Sequence, residues 1–179
     1  MALILLRHTQ PDIAEGICYG QSDLPLASDF EAQLQRLYET LPGFSRLYTS
    51  PLQRCHILAA HLSSARGIPV FVDPRLMEMN FGNWENQAWN DISRPELDAW
   101  ADDFHHARPH GGESVANLST RVRSFLADLP DLSEDTLIVC HAGIIRALLA
   151  EINAENAWQY KLNFGDWITL DEHELSALR

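Results

Sequence analysis

Basic side chains are scarce in this chain: 13 Lys and Arg stand against 25 Asp and Glu, a formal charge of −12 over 179 residues. Nucleic acid and anionic membranes both call for a basic surface, so neither is expected as a partner. Cysteine is sparse too, with Cys18, Cys55 and Cys140 far apart and no CxxC pair. An odd count without metal spacing predicts reduced thiols and argues against a disulfide framework. Cys140 sits in a strand-like run without its own helix N-terminus, which argues against a catalytic thiol. No apolar run approaches the length of a membrane span. The opening Met1–Arg7 is too short, and lacks the basic leader, for a signal peptide. A cytoplasmic protein is expected, with these residues forming a buried first strand.

What is present suits one ordinary domain over residues 1–179: 46% hydrophobic and 21% charged residues, with no internal repeat or low-complexity tract. The apolar run Leu3–Leu6 reads as a strand covered on both faces. A turn-rich loop follows from Thr9 to Leu26. Ser28 is placed to cap a helix carrying Phe30, Leu34, Leu37, Tyr38 and Leu41. Arg46–Thr49 is a short strand, and Ser50-Pro51 reads as an N-cap with proline at the first helical position. Leu52, Cys55, Leu58, Ala59 and Leu62 make the apolar face of that helix. Pro69–Val72 is the next strand.

From about residue 80 to 112 the pattern loosens, with Trp84, Trp89 and Trp100 scattered among acids, amides and histidines. This stretch reads as an inserted, partly helical lid. An amphipathic helix is expected over Glu113–Leu129, a buried strand over Thr136–Cys140 and a helix over Ala142–Ile152. Trp167–Leu170 and Leu175–Leu178 are expected to close the chain as a hairpin. Strands alternating with helices predict an α/β fold, a mostly parallel central sheet sandwiched between helices in three layers (α/β/α). Ligands in such folds bind at the carboxyl ends of the strands.

Three strand ends deliver conspicuous groups: Arg7-His8-Thr9, Ser50-Pro51-Leu52-Gln53-Arg54 and Cys140-His141-Ala142-Gly143. If those strands are neighbours, two arginines and two histidines meet beside two helix N-termini, whose N–H groups and dipole favour an anion. A neutral imidazole is a competent nucleophile near pH 7. Arginine forks match phosphoryl oxygens bidentately and stay charged. In a protein this acidic, an anionic substrate needs such a local cluster to overcome the global field. A leaving alkoxide needs a proton, and Glu78, after the third strand, is the candidate donor. Glu85 and Glu113 are alternatives, although Glu113 and Ser114 also suit stabilisation of a helix N-terminus.

With those residues in view, the chain resembles the histidine phosphatase (phosphoglycerate mutase-like) superfamily. Arg7-His8-Thr9 resembles its Arg-His-Gly signature, and Ser50–Arg54 its second-arginine motif. Glu78–Glu85 is similar to its Glu-x-x-Phe-Gly-x-Trp-Glu segment, Gly112-Glu113-Ser114 with Arg121 to its Gly-Glu-Ser helix start, and His141–Arg146 to its second-histidine motif. The resemblance implies a phosphatase acting on a small-molecule phosphate monoester without metal or other cofactor. It implies phosphorylation of His8, with Arg7, Arg54 and His141 binding the phosphoryl oxygens and Glu78 serving as acid and then base. Gln21, Ser22 and Ala142 are implied at the substrate.

Thr9 stands where the signature has glycine. Arg7-His8-Thr9-Gln10-Pro11, with Cys18–Leu26, looks most like the α-ribazole phosphatase branch, which acts in building the cobalamin nucleotide loop. The alternatives are a sugar-phosphate or broad-specificity phosphatase, a phosphoglycerate mutase, and a non-catalytic module that binds a phosphorylated partner. His105, His106 and His110 do not share one helical face, and Pro109 interrupts any regular helix, so they are not expected to form a metal site. The three tryptophans either stack on an aromatic base or pack the lid.

Overall fold

A computed structural model describes residues 2–130 and 134–175. Leu3–Arg7 forms β1, and its apolar run is buried on both faces. On one side β1 pairs in parallel with β4 (Thr136–Cys140), Arg7 opposite Cys140. Beyond β4 lie β2 (Arg46–Thr49) and the edge strand β3 (Val70–Val72), also parallel. On the other side β5 (Trp167–Leu170) runs antiparallel to β1. The sheet order is therefore β3-β2-β4-β1-β5.

Successive strand residues point to opposite faces, so each strand feeds two layers. Ile4, Leu6, Leu47, Leu137 and Val139 pack under α1 (Phe30–Thr40) and α2 (Gln53–Arg66). Leu3, Leu5, Ile138 and Cys140 pack under α4 (Val115–Asp128) and α5 (Ala142–Glu151). The result is the expected three-layer α/β/α sandwich. Each fully buried leucine in it contributes roughly 1.5–3 kcal/mol of transfer free energy. Within residues 80–112 only α3 (Arg94–Asp102) is a regular helix; short turns at Gly82–Trp84 and Trp89–Asp91 make up much of the rest. This segment has its own cluster of Cys18, Trp84 and Ile92. No helix of the described residues is long and apolar enough to cross a membrane.

Three local expectations differ from what is observed. Asp29, not Ser28, precedes α1, and no side chain caps that helix. The second helix starts at Gln53 rather than Pro51, because Asp23 reaches in from the preceding loop to accept the Gln53 N–H at 2.8 Å. Ser50 Oγ accepts only the Leu52 N–H there, at 3.3 Å. After β5 the chain turns into one helical turn, Glu172–Leu175 (α6), instead of a returning strand. The Asp171 carboxylate accepts the N–H groups of His173 and Glu174 and so caps that turn. Residues 176–178 of the expected hairpin lie outside the described residues. The capping of α4 is reciprocal: Ser114 Oγ accepts the Asn117 N–H and Asn117 Oδ1 accepts the Ser114 N–H.

Candidate active site

The sheet order brings the three conspicuous strand ends together, since β4 lies between β1 and β2. The ladder runs on past the strands: the His8 N–H donates to the Cys140 carbonyl at 3.0 Å and the Ser50 N–H to Val139 at 3.1 Å. The His8 and His141 rings meet edge-on with centroids 5.0 Å apart.

His8 is buried, with Nδ1 2.7 Å from the Thr9 carbonyl oxygen. A carbonyl only accepts, so Nδ1 carries the hydrogen and Nε2 keeps its lone pair. Burial first, and then the charges of Arg54 and Arg7, hold the His8 pKa well below the usual histidine value, against the opposing effect of the Thr9 bond. The imidazole is therefore neutral at pH 7.

Both arginines are held by backbone carbonyls. Arg54 is fully buried and donates to Ser22 at 2.8 Å and Gly20 at 2.6 Å. Arg7 donates to Leu162 at 2.5 Å and lies 3.8 Å from the centre of the Phe164 ring. The Gly165 N–H, bonded to the carbonyls of Arg7 and His8, fixes that ring in place. Nε of each arginine is buried without a hydrogen-bond partner. Unsatisfied guanidinium N–H groups are costly, and a phosphoryl oxygen is the acceptor that best offsets the cost.

Glu85 builds the loop that holds Arg54. Its carboxylate accepts from the N–H groups of Gln21 and Phe81 and from the N–H and hydroxyl of Ser22, at 2.5–3.0 Å. Gly20 sits at φ +33°, where a Cβ would strike the Met79 carbonyl and the Glu85 carboxylate.

Of the three candidate acids, Glu78 alone shares a pocket with Arg7 and Gly143, and the other two have other work. Glu113 pairs with Arg121 at 2.7 Å, and Arg121 in turn donates to the Glu78 carbonyl at 3.0 Å. The Glu78 carboxylate accepts the Met79 N–H at 2.8 Å and the Gly143 N–H, in the first turn of α5, at 3.1 Å.

His141 is buried directly before α5, with Nε2 2.9 Å from Ser50 Oγ. Burial, then His8 and the nearby arginines, keep it neutral as well. Ala142 and Gly143 line a pocket of about 390 Å³ together with Arg7 and Glu78. The pocket extends into an apolar region walled by Phe81, Trp89, Trp100, Phe104 and Trp158. Gln21 and Ser22 turn their side chains to the protein instead: Gln21 Nε2 donates to the Glu78 carbonyl and Ser22 Oγ to Glu85. Trp84 is fully buried against His110, whereas Trp89 and Trp100 reach the pocket.

Residues 3–176 match the histidine phosphatase superfamily (branch 1). The chain belongs to that superfamily. It is 33% identical to the adenosylcobalamin/α-ribazole phosphatase of Escherichia coli K12, over 99% of this chain and 93% of that one. The protein of the same description from Salmonella typhimurium is 30% identical over 96% of this chain and 90% of its own. The crystal structure of the α-ribazole phosphatase from Shigella flexneri superposes with a TM-score of 0.84 at 31% identity, covering 96% of this chain and 90% of that one.

Sequence reasoning missed Tyr19, Phe164 and Ser50 as parts of the site. Phe164 lies beyond the last motif, and only the antiparallel return of β5 beside β1 brings its loop onto Arg7. Tyr19 lines the pocket and lies 5.2 Å from the Arg54 guanidinium. Burial raises its pKa, so its phenol stays protonated.

Proposed function

We propose that this enzyme hydrolyses α-ribazole phosphate through a phosphohistidine at His8. One observation carries the mechanism: a neutral imidazole with a free Nε2 stands beside two arginines whose buried Nε–H groups lack acceptors. Nε2 attacks phosphorus, and the P–Nε2 bond forms as the P–O bond to the alcohol breaks. Arg7, Arg54 and His141 hold the phosphoryl oxygens, and Glu78 protonates the departing oxygen. Water then attacks phosphorus while Glu78 takes its proton, which releases inorganic phosphate and restores His8. The positive charge comes from side chains, so the cycle needs no metal.

The substrate assignment draws on the relatives and on the aromatic wall of the pocket. Indole and phenyl faces suit a flat heteroaromatic base, whereas a glyceryl or sugar leaving group would leave that surface without an apolar partner. Residues 80–112 act as a lid of one catalytic domain, which supplies much of this wall. The sparse, widely spaced cysteines support a cytoplasmic reaction, and the acidic charge supports a small monoester substrate rather than a nucleic acid partner.

The test is hydrolysis of α-ribazole phosphate, p-nitrophenyl phosphate and phosphoglycerate with EDTA present, for wild type and His8→Ala. A much higher kcat/KM for α-ribazole phosphate, lost in the variant, is expected. Similar His8-dependent rates on all three would remove the substrate assignment. Activity surviving in His8→Ala, or lost to EDTA, would remove the mechanism.

A further inference from the structure

We infer that Ser50 is a positioning residue that fixes the tautomer of His141, donating its hydroxyl hydrogen to Nε2 so that the ring proton stays on Nδ1 for the phosphoryl group. Ser50 and His141 are both completely buried, and their side chains meet at 2.9 Å. The direction of that bond follows from the remaining partners. Ser50 Oγ already accepts the Leu52 N–H at 3.3 Å. If Nε2 were also a donor, Oγ would receive two hydrogens. Its own hydrogen would then be left with the sulfur of Cys55, a weak acceptor. With Oγ as donor, the Leu52 N–H, the Ser50 hydroxyl hydrogen and the Nε2 lone pair all have partners, and Nδ1–H, with only the Cys55 sulfur at 4.0 Å, is left for an anion. Cys55 does not compete for Nε2, although its sulfur lies 3.5 Å away, because its hydrogen is directed to the Cys140 carbonyl, also at 3.5 Å.

The arrangement has a consequence for phosphoryl transfer. His141 is neutral, so it has one N–H and one lone pair to place. On Nδ1 the N–H stabilises a phosphoryl oxygen; the other tautomer would turn a lone pair on it and repel it. Nothing else in contact with Nε2 donates as strongly as the Ser50 hydroxyl. The displaced start of α2 belongs to the same device. Asp23 accepts the Gln53 N–H, which leaves Ser50 Oγ only the Leu52 N–H to accept at the helix start, while its own hydrogen goes to the histidine.

The role assigned to His141 rests on the phosphohistidine reading, but the tautomer does not. The experiment is two-bond ¹H–¹⁵N correlation on histidine-labelled protein at neutral pH, with His141→Asn to identify the signal. Ser50→Ala and Ser50→Thr are measured in parallel for kcat and KM on p-nitrophenyl phosphate. In the wild type Nδ1 is expected to carry the proton. Ser50→Ala is expected to populate the Nε2–H form and lower kcat about 10-fold or more, with a smaller change in KM. Ser50→Thr, which keeps the hydroxyl, is expected to restore both. An Nε2–H signal in the wild type, or a Ser50→Ala variant that keeps Nδ1–H, would overturn the assignment. Activity persisting in His8→Ala would instead defeat the phosphohistidine mechanism and leave the tautomer result standing.

Discussion

Substituting Gly143 by alanine separates catalysis from stability. Gly143 lies in the first turn of α5, and its φ is not in the left-handed region, so alanine is compatible with the backbone. A Cβ built there would collide with Oε1 of Glu78, whose Oε2 accepts the Gly143 N–H at 3.1 Å. The carboxylate is the far end of a flexible side chain, so it moves away and the helix stays. Replacing glycine by alanine in a helix gains at most about 1 kcal/mol. Losing the Gly143 N–H···Glu78 bond costs about the same. Net stability should change by less than about 1 kcal/mol, a Tm shift within ~4 °C for a chain of this size. The displaced acid is another matter. A 1 Å misplacement of a catalytic group costs about 10²-fold, and general acid–base catalysis contributes ~10²–10⁴-fold. We expect kcat on a poor leaving group, such as an alkyl phosphate, to fall at least ~10²-fold. On p-nitrophenyl phosphate, whose leaving group scarcely needs a proton, the loss in the first step should be smaller. The double variant Gly143→Ala/Glu78→Gln should be little worse than Glu78→Gln alone. Wild-type kcat on the alkyl ester, or a loss of activity that tracks a collapse in Tm, would refute this account of Glu78.

Stability should depend on pH through the buried histidines. His8, His141 and His110 all have pKa values below the usual 6.5, so the unfolded chain binds more protons on the acid side. Their contribution is fully present above about pH 6.5 and is lost as pH falls, by about 1.4 kcal/mol per pH unit for each of His8 and His141 and by less for His110. Urea midpoints between pH 7.5 and 5.5 should show this slope, and His8→Ala should flatten it by close to one proton; an unchanged slope would contradict the buried neutral state. Glu85→Gln forces an amide N–H₂ against backbone N–H groups that the carboxylate now serves. The loop carrying the Gly20 and Ser22 carbonyls should loosen from Arg54. Inhibition by inorganic phosphate should weaken about 10-fold or more, and Tm should drop by several degrees. Trp100→Leu and Trp158→Leu should raise KM for α-ribazole phosphate and leave KM for p-nitrophenyl phosphate within about twofold. Equal effects on both esters would mean that the aromatic wall only packs.

The layers, and the convergence of the three conspicuous strand ends, were legible because each rests on a short-range signal. A doubly buried strand needs an apolar run, and Leu3–Leu6 and Thr136–Cys140 provide one. Ligands in such folds bind where these runs end, and that rule alone makes Arg7, His8 and His141 candidates. The errors arose where a local motif met a partner distant in sequence. Ser50-Pro51 has the composition of a helix start, but Asp23, 30 residues earlier, serves that helix and Ser50 turns to a histidine 91 residues later. Ser28 fits a cap by position alone, with nothing to mark it against Asp29 as the residue before α1. Gln21 and Ser22 were expected at the substrate, and Glu78 and Glu85 take up their side chains. The sequence places those two acceptors, the Glu78 carbonyl and the Glu85 carboxylate, 57 and 63 residues away and gives no sign of the approach.

An enzyme with a charge of −12 has to attract and stabilise a transferring phosphoryl group against its own field. The contacts suggest that it does so with few cations held rigidly rather than many. Arg54 spends two guanidinium hydrogens on loop carbonyls, Arg7 spends one on Leu162, His8 spends Nδ1 on Thr9, and His141 spends Nε2 on Ser50. In the proposed mechanism each group is thereby locked by one atom and offers another to the substrate: Nε–H of the arginines, Nε2 of His8 and Nδ1 of His141. A group fixed in this way loses no rotamer entropy when charge develops, and in a buried site its dipole is poorly screened. On this reasoning the residues that carry the carbonyls and hydroxyls matter to rate almost as much as those that face the phosphoryl group. Glu85 holds the loop, Ser50 holds His141, and the Glu113–Arg121 pair holds the Glu78 peptide. Substitutions there should lower kcat without removing any group that touches the substrate.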